Sequence, residues 1–132
     1  MSGTDILEHP IHLGRGATAV VEPAFTGNME WYQGYGARHA ADGAEGRLVS
    51  MFTFNEPWSM WEMHPNGSEV VLCTSGAITL HQETADGTKR SVSLRAGEYA
   101  INEPGTWHTA DVSGSATAVF ITAGLGTQHR PR

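Results

Sequence analysis

Four side chains carry the chemistry this chain can do: Glu62, His64, Glu69 and His108. Along a strand, side chains alternate, so in Trp61-Glu62-Met63-His64 the carboxylate and the imidazole share one face. Glu69 opens the next apolar run after a Pro65-Asn66-Gly67 turn, near enough to return to the same pocket. Much further along, His108 follows a Pro104-Gly105 turn and places a second imidazole in a strand. Two imidazoles and two carboxylates converge if the sheet rolls up. That donor set suits Zn, Mn, Fe, Ni or Co better than a thiolate-preferring metal.

Other reactive residues read more plainly. His9, His12, His39 and His129 fall in irregular segments, where a surface imidazole is the usual case. His81 has the parity opposite to Ile78 and Leu80 and faces away from the surface they bury. Trp58, Trp61 and Trp107 are wall and core, with Trp107 placed to shape the entrance beside His108. Met60 shares the parity of Glu62 and fills the interior, while Arg95, Glu98 and Tyr99 flank a hairpin turn at the surface. Cys73, the one cysteine, follows Val70, Val71 and Leu72 and reads as a buried, inert thiol. No phosphate loop, nucleophile elbow or CxxC pattern occurs.

The elements that must position these groups are short strands. Apolar runs at 48–54, 58–64, 69–74, 77–83, 89–94, 98–101, 107–112 and 116–123 are separated by turn sequences such as Ala85-Asp86-Gly87 and Arg95-Ala96-Gly97. Strands of that length at that spacing imply a sandwich or closed barrel, and no long amphipathic helix is evident. Before residue 47 the pattern is irregular. Only Ala19-Val20-Val21-Glu22 reads as a strand there, and Trp31, Tyr32 and Tyr35 carry apolar area that needs covering. The expected organisation is an N-terminal extension over 1–46, a barrel over 47–126 and a tail over 127–132.

Composition sets limits. The chain has 132 residues, enough for one domain with a real core. Its formal charge of −6 and lack of a basic run argue against nucleic acid as a partner. No apolar stretch approaches the ~20 residues of a membrane span. The N-terminus lacks a signal-peptide pattern, so the cytoplasm is expected.

The two motif segments resemble the paired signatures of the cupin superfamily. The first family pattern is His-x-His, four residues, Glu, six residues and Gly; His64, Glu69 and Gly76 match at those gaps. The second is Gly, five residues, Pro-x-Gly, two residues and His, matched by Gly97, Gly105 and His108. The chain departs at three places: Glu62 stands where the first His is usual, Glu103 where the Pro is, and Val112 where a closing Asn is. The resemblance implies an all-β, cupin-type double-stranded β-helix, a jelly-roll barrel with an irregular N-terminal extension. It also implies a divalent metal on Glu62, His64, Glu69 and His108, and a homodimer. Its chemistry would be dioxygenation, isomerisation or decarboxylation of a small organic molecule, with Glu62 as fourth ligand or general base.

Two readings of Glu62 stand open. It binds the metal, giving two anionic ligands that favour harder ions. Alternatively the metal is lost, Glu62 pairs with His64 or His108, and the barrel binds a small molecule without turnover or serves assembly. Two buried carboxylates side by side would hold one of them protonated, and that cost favours the metal.

Overall fold

The computed structural model describes residues 1–132. The strands are β1 (Ile11–Gly14), β2 (Thr18–Val21), β3 (Arg47–Phe54), β4 (Met60–Met63), β5 (Glu69–Ser75), β6 (Ala77–Glu83), β7 (Lys89–Arg95), β8 (Tyr99–Asn102), β9 (Trp107–Val112), β10 (Ala116–Thr122) and β11 (Gln128–Pro131). Helix α1 (Met29–Arg38) and a 3₁₀ segment (Ala40–Glu45) lie between β2 and β3. The strands form two antiparallel sheets, in the orders β2-β1-β3-β10-β5-β8 and β11-β4-β9-β6-β7.

Period-two burial explains how the sheets close on a core. On β5 the buried positions are Glu69, Val71 and Cys73; on β6 they are Ile78, Leu80 and Gln82. Apolar members of these sets join Leu94, Ala110, Ala116, Ala118 and Phe120, with Phe52, Phe54 and Trp58 packed against them. Polar members of the same inward rows sit at one end. The parity that builds the core therefore also aims Glu69 into the barrel.

The β5–β6 turn depends on Gly76. Its φ is 73°, and a Cβ there would run into the Ser115 carbonyl oxygen and meet Ala116 Cα at 2.9 Å. Gly76→Ala is expected to cost about 1–3 kcal/mol, since it adds left-handed strain to a backbone collision. A drop in the midpoint of thermal or denaturant unfolding checks this.

Three features differ from the sequence reading. First, α1 is a ten-residue helix where no helix was expected. Gly34 and Gly36 each cost about 1 kcal/mol of helix propensity and hide it. It is held by its cap and by packing: the Asn28 side chain accepts from Trp31 N at 2.8 Å, and Trp31 is buried against Phe25 and Tyr35. Second, the strand expected at 19–22 is present as β2, but it pairs with an unexpected β1, and the two extend the sheet beyond β3. Third, residues 128–131 are not a solvated tail. They pair with β4, and Arg130 lies over Trp61 and Trp107, 5.1 and 4.4 Å from their ring centroids, while bonding Glu83.

Candidate metal centre

Strand pairing brings the four residues together. Glu62 on β4 faces His108 on β9, His64 lies one residue past β4, and Glu69 heads β5 opposite Asn102 and Thr122. His64 Nε2 is 3.1 Å from Glu69 Oε2, and His108 Nε2 is 3.0 Å from Glu69 Oε1. Glu62 Oε2 is 3.9 Å from His64 Nε2 and 3.7 Å from His108 Nε2. One donor atom each from Glu62, His64 and His108 lies within 4.8 Å of the others.

The hydrogen-bond network assigns both imidazole tautomers. His108 Nδ1 is 3.3 Å from the Thr106 carbonyl oxygen, which can only accept, so Nδ1 carries the proton. His64 Nδ1 is 2.8 Å from Thr127 Oγ1, whose own proton goes to the Gly124 carbonyl at 2.8 Å. His64 Nδ1 is therefore also the donor. In the neutral form of each ring Nε2 is therefore the lone pair. Both Nε2 atoms are buried and make no hydrogen bond of acceptable geometry, although carboxylate oxygens stand about them. A buried nitrogen facing carboxylates calls for a cation between them, a proton or a metal ion, and buried polar atoms rarely go unpaired.

Glu69 is fixed from behind. Asn102 Nδ2 donates to Oε1 at 3.0 Å and the Thr122 hydroxyl to Oε2 at 2.6 Å. Gln82 in turn donates to Asn102 Oδ1 at 2.7 Å. Burial alone would raise the Glu69 pKa, but the His108 and His64 imidazoles outweigh it and hold the carboxyl far below the usual range. Burial would likewise lower His108, yet the Glu62 and Glu69 carboxylates push it up to about 10. Glu62 is also lowered, with burial opposed by His108 and His64. Its side chain is 33% exposed, which makes it the open edge of the centre, and its Oε1 lies 3.2 Å from His129 Nε2. Burial and then the charges of Glu62 and Glu69 raise the Tyr32 phenol, on α1, to about 12. Trp58 contributes a buried indole N–H without an acceptor, its ring 6.1 Å from that of His108.

A second histidine group is built differently. His12 was expected at the surface but is 2% exposed. Its Nδ1 meets the Tyr35 hydroxyl and its Nε2 meets Asp42 Oδ2, both at 2.6 Å, while His39 Nε2 meets Glu22 Oε2 at 2.8 Å. The His12 and His39 rings stack 3.6 Å apart at 15°, and one donor atom each from His12, His39 and Asp42 lies within 4.8 Å of the others. Every one of these bonds closes within the cluster. It is a polar lock tying α1 and the 3₁₀ segment to β1, and an Ala at Gly46 would bring its Cβ 2.9 Å from His12 Cε1. His81, as expected, faces outward, bonding Ser91 and Asp111. Cys73 is fully buried and burial pushes its thiol up, in keeping with an inert role.

No protein-family model matches the chain, and no curated protein matches it. Solved structures do. A conserved protein with a double-stranded β-helix domain from Klebsiella pneumoniae subsp. pneumoniae is 23% identical, with a TM-score of 0.54, over 65% of this chain and 76% of its own. Hydroquinone 1,2-dioxygenase from Sphingomonas sp. TTNP3, with 4-hydroxybenzoate bound, is 18% identical with a TM-score of 0.51, over 58% of this chain and 59% of its own. Oxalate decarboxylase is 17% identical with a TM-score of 0.55, over 73% of this chain and 26% of its own. The chain thus spans 59% of the one enzyme and 26% of the other.

Proposed function

We propose that this chain, whose fold is the cupin-type double-stranded β-helix, holds one divalent transition metal and uses it on a small organic molecule. Glu62, His64, Glu69 and His108 are the ligands, and Zn, Mn, Fe, Ni and Co all suit that set. The observation that carries this reading is the pair of buried Nε2 atoms that converge on Glu69 without a hydrogen bond of acceptable geometry. Glu62 Oε2 stands 3.9 and 3.7 Å from the Nε2 atoms of His64 and His108, too long for hydrogen bonds, which favours the metal over a closed polar cluster.

When bound, the cation supplies a Lewis acid that polarises an oxygen of the substrate. The chain supplies the rest. Glu62 stays ionised at the open edge, with Oε1 against His129 and Oε2 turned to the two imidazoles. Tyr32 keeps its phenolic proton at neutral pH and can donate a hydrogen bond. Trp58 offers its N–H to an oxygen of a bound molecule, and His64 and His108 are sealed from water. The dioxygenase and decarboxylase of similar fold direct substrate screens toward oxygen-dependent and decarboxylating reactions, with isomerisation alongside. The partners proposed are that small molecule and a second copy of the chain, in the cytoplasm. Edge strands support the homodimer: β2 exposes Val20 and Val21, and β8 exposes Tyr99 and Ile101. Light scattering at micromolar concentration should give twice the chain mass, and a monomeric mass contradicts the dimer. No helix is long and apolar enough to cross a membrane.

Metal analysis of untagged protein, purified without chelator, tests the central reading. About one equivalent of a transition metal is expected from a single centre of this donor set. No metal after soaking with Mn, Fe, Zn, Ni and Co in turn would overturn it.

A further inference from the structure

The C-terminal segment reaches the centre through two side chains, Thr127 and His129. Thr127 accepts from His64 Nδ1 while its hydroxyl is committed to Gly124. The turn that presents Thr127 is seated on the turn that follows His64: Asn66 Nδ2 donates to the Leu125 carbonyl at 2.8 Å. Gly126, at φ 78°, lies so close that a Cβ would come 3.0 Å from Asn66 Nδ2. Two residues on, His129 is in register with Glu62 and takes its outer oxygen at 3.2 Å. Beyond it, Arg130 lies over Trp61 and Trp107, and Arg132 donates to the Trp58 and Ala110 carbonyls at 3.0 and 3.1 Å. β11 is thus pinned on both sides of His129.

We propose that β11 is the positioning arm of the metal centre, an inference that rests on the metal reading above. Thr127 is a positioning residue for His64. By accepting the hydrogen bond from Nδ1–H it keeps Nε2 of the neutral ring as the lone pair and fixes the plane of the ring. His129 is a positioning residue for Glu62. By holding Oε1 it leaves only Oε2 for the cation, so Glu62 binds through one oxygen. A one-oxygen carboxylate suits the low coordination number of Zn(II), whereas a carboxylate free to bind through both oxygens suits larger, oxygen-preferring ions such as Mn(II). The arm therefore sets both the affinity of the centre and its choice between metals.

Chelator-competition titrations with Zn(II) and Mn(II) on the full chain test this. Thr127→Val keeps the shape and removes the acceptor. It should weaken Zn(II) binding roughly tenfold to a hundredfold, the usual effect of losing a group that orients a ligand. Thr127→Ser should restore binding, which a loss of packing would not allow. His129→Ala should raise the Mn(II) affinity relative to Zn(II), and an unchanged ratio overturns the role given to His129. Wild-type Zn(II) affinity in Thr127→Val, or no rescue by Ser, overturns the role given to Thr127. If the wild-type chain binds neither metal, the metal reading fails, and nitrogen NMR of the metal-free protein decides for the arm by itself. At a pH where His64 is neutral, wild type should show the Nδ1–H tautomer and Thr127→Val a mixture. An unchanged tautomer overturns the arm.

Discussion

His108→Ala is expected to purify with no bound metal and to bind none on soaking, a loss larger than the roughly 10–100-fold that follows removal of an outer partner. His108 is fully buried, its Nδ1 proton is committed to the Thr106 carbonyl, and its Nε2 lies 3.0 Å from Glu69. No neighbouring imidazole can replace it: His64 already serves the centre, and His129 sits on the outer oxygen of Glu62. The same change harms the metal-free protein. It leaves Glu69 and Glu62 without their principal counter-charge, and breaking a buried ion pair on one side costs about 3–5 kcal/mol. A domain of this size has about 5–15 kcal/mol in hand, so the variant should fold but melt earlier. His108→Gln, which keeps a donor and most of the volume, should melt closer to wild type while still failing to bind metal. Full metal content in both variants would remove His108 from the centre.

His108 was legible because its signal is local. A Gly, a Pro-Gly turn and a His at fixed gaps describe one strand end, and Gly97, Gly105 and His108 satisfy it without reference to the rest of the chain. The same holds for His64, Glu69 and Gly76, and alternation alone put Glu62 and His64 on one face. The groups that orient these residues left no such trace. Asn102, Thr122 and Thr127 are common polar residues whose roles exist only once β8, β10 and β11 pair with their neighbours. β11 itself was hidden because Gln128-His129-Arg130-Pro131 has no alternating apolar pattern. It is held instead by Arg130 over two indoles and by Arg132 on two carbonyls. His12 was misread for a related reason: its burial is compensated by Tyr35 and Asp42, which lie 23 and 30 residues away. Tyr32 came near the centre through α1, a helix whose two glycines mask it in the sequence.

Proton and metal compete for the same lone pair, and this gives metal-free and metal-loaded protein different responses to pH. In the metal-free chain His108 is raised from 6.5 to about 10 by Glu62 and Glu69, against the effect of burial. A group whose folded pKa is raised contributes stability that is fully present below its unfolded value and is lost as pH climbs through the folded one. Glu69 is lowered instead, so its contribution is present above its ordinary value of 4.5 and disappears only in strong acid. The metal-free protein should therefore be most stable between the two unfolded values, 4.5 and 6.5, and weaken steadily toward pH 10. The metal needs His108 Nε2 free, so binding releases that proton, and affinity should rise about tenfold per pH unit across the same alkaline span. Chemical denaturation with and without metal, at pH 6 and pH 9, measures both slopes on one protein. Stability that falls with pH in the metal-free sample and stays level in the metal-loaded one places the proton and the cation on the same atom. Parallel slopes would mean that His108 does not change its protonation when metal binds, and the centre would have to be sought elsewhere in the barrel.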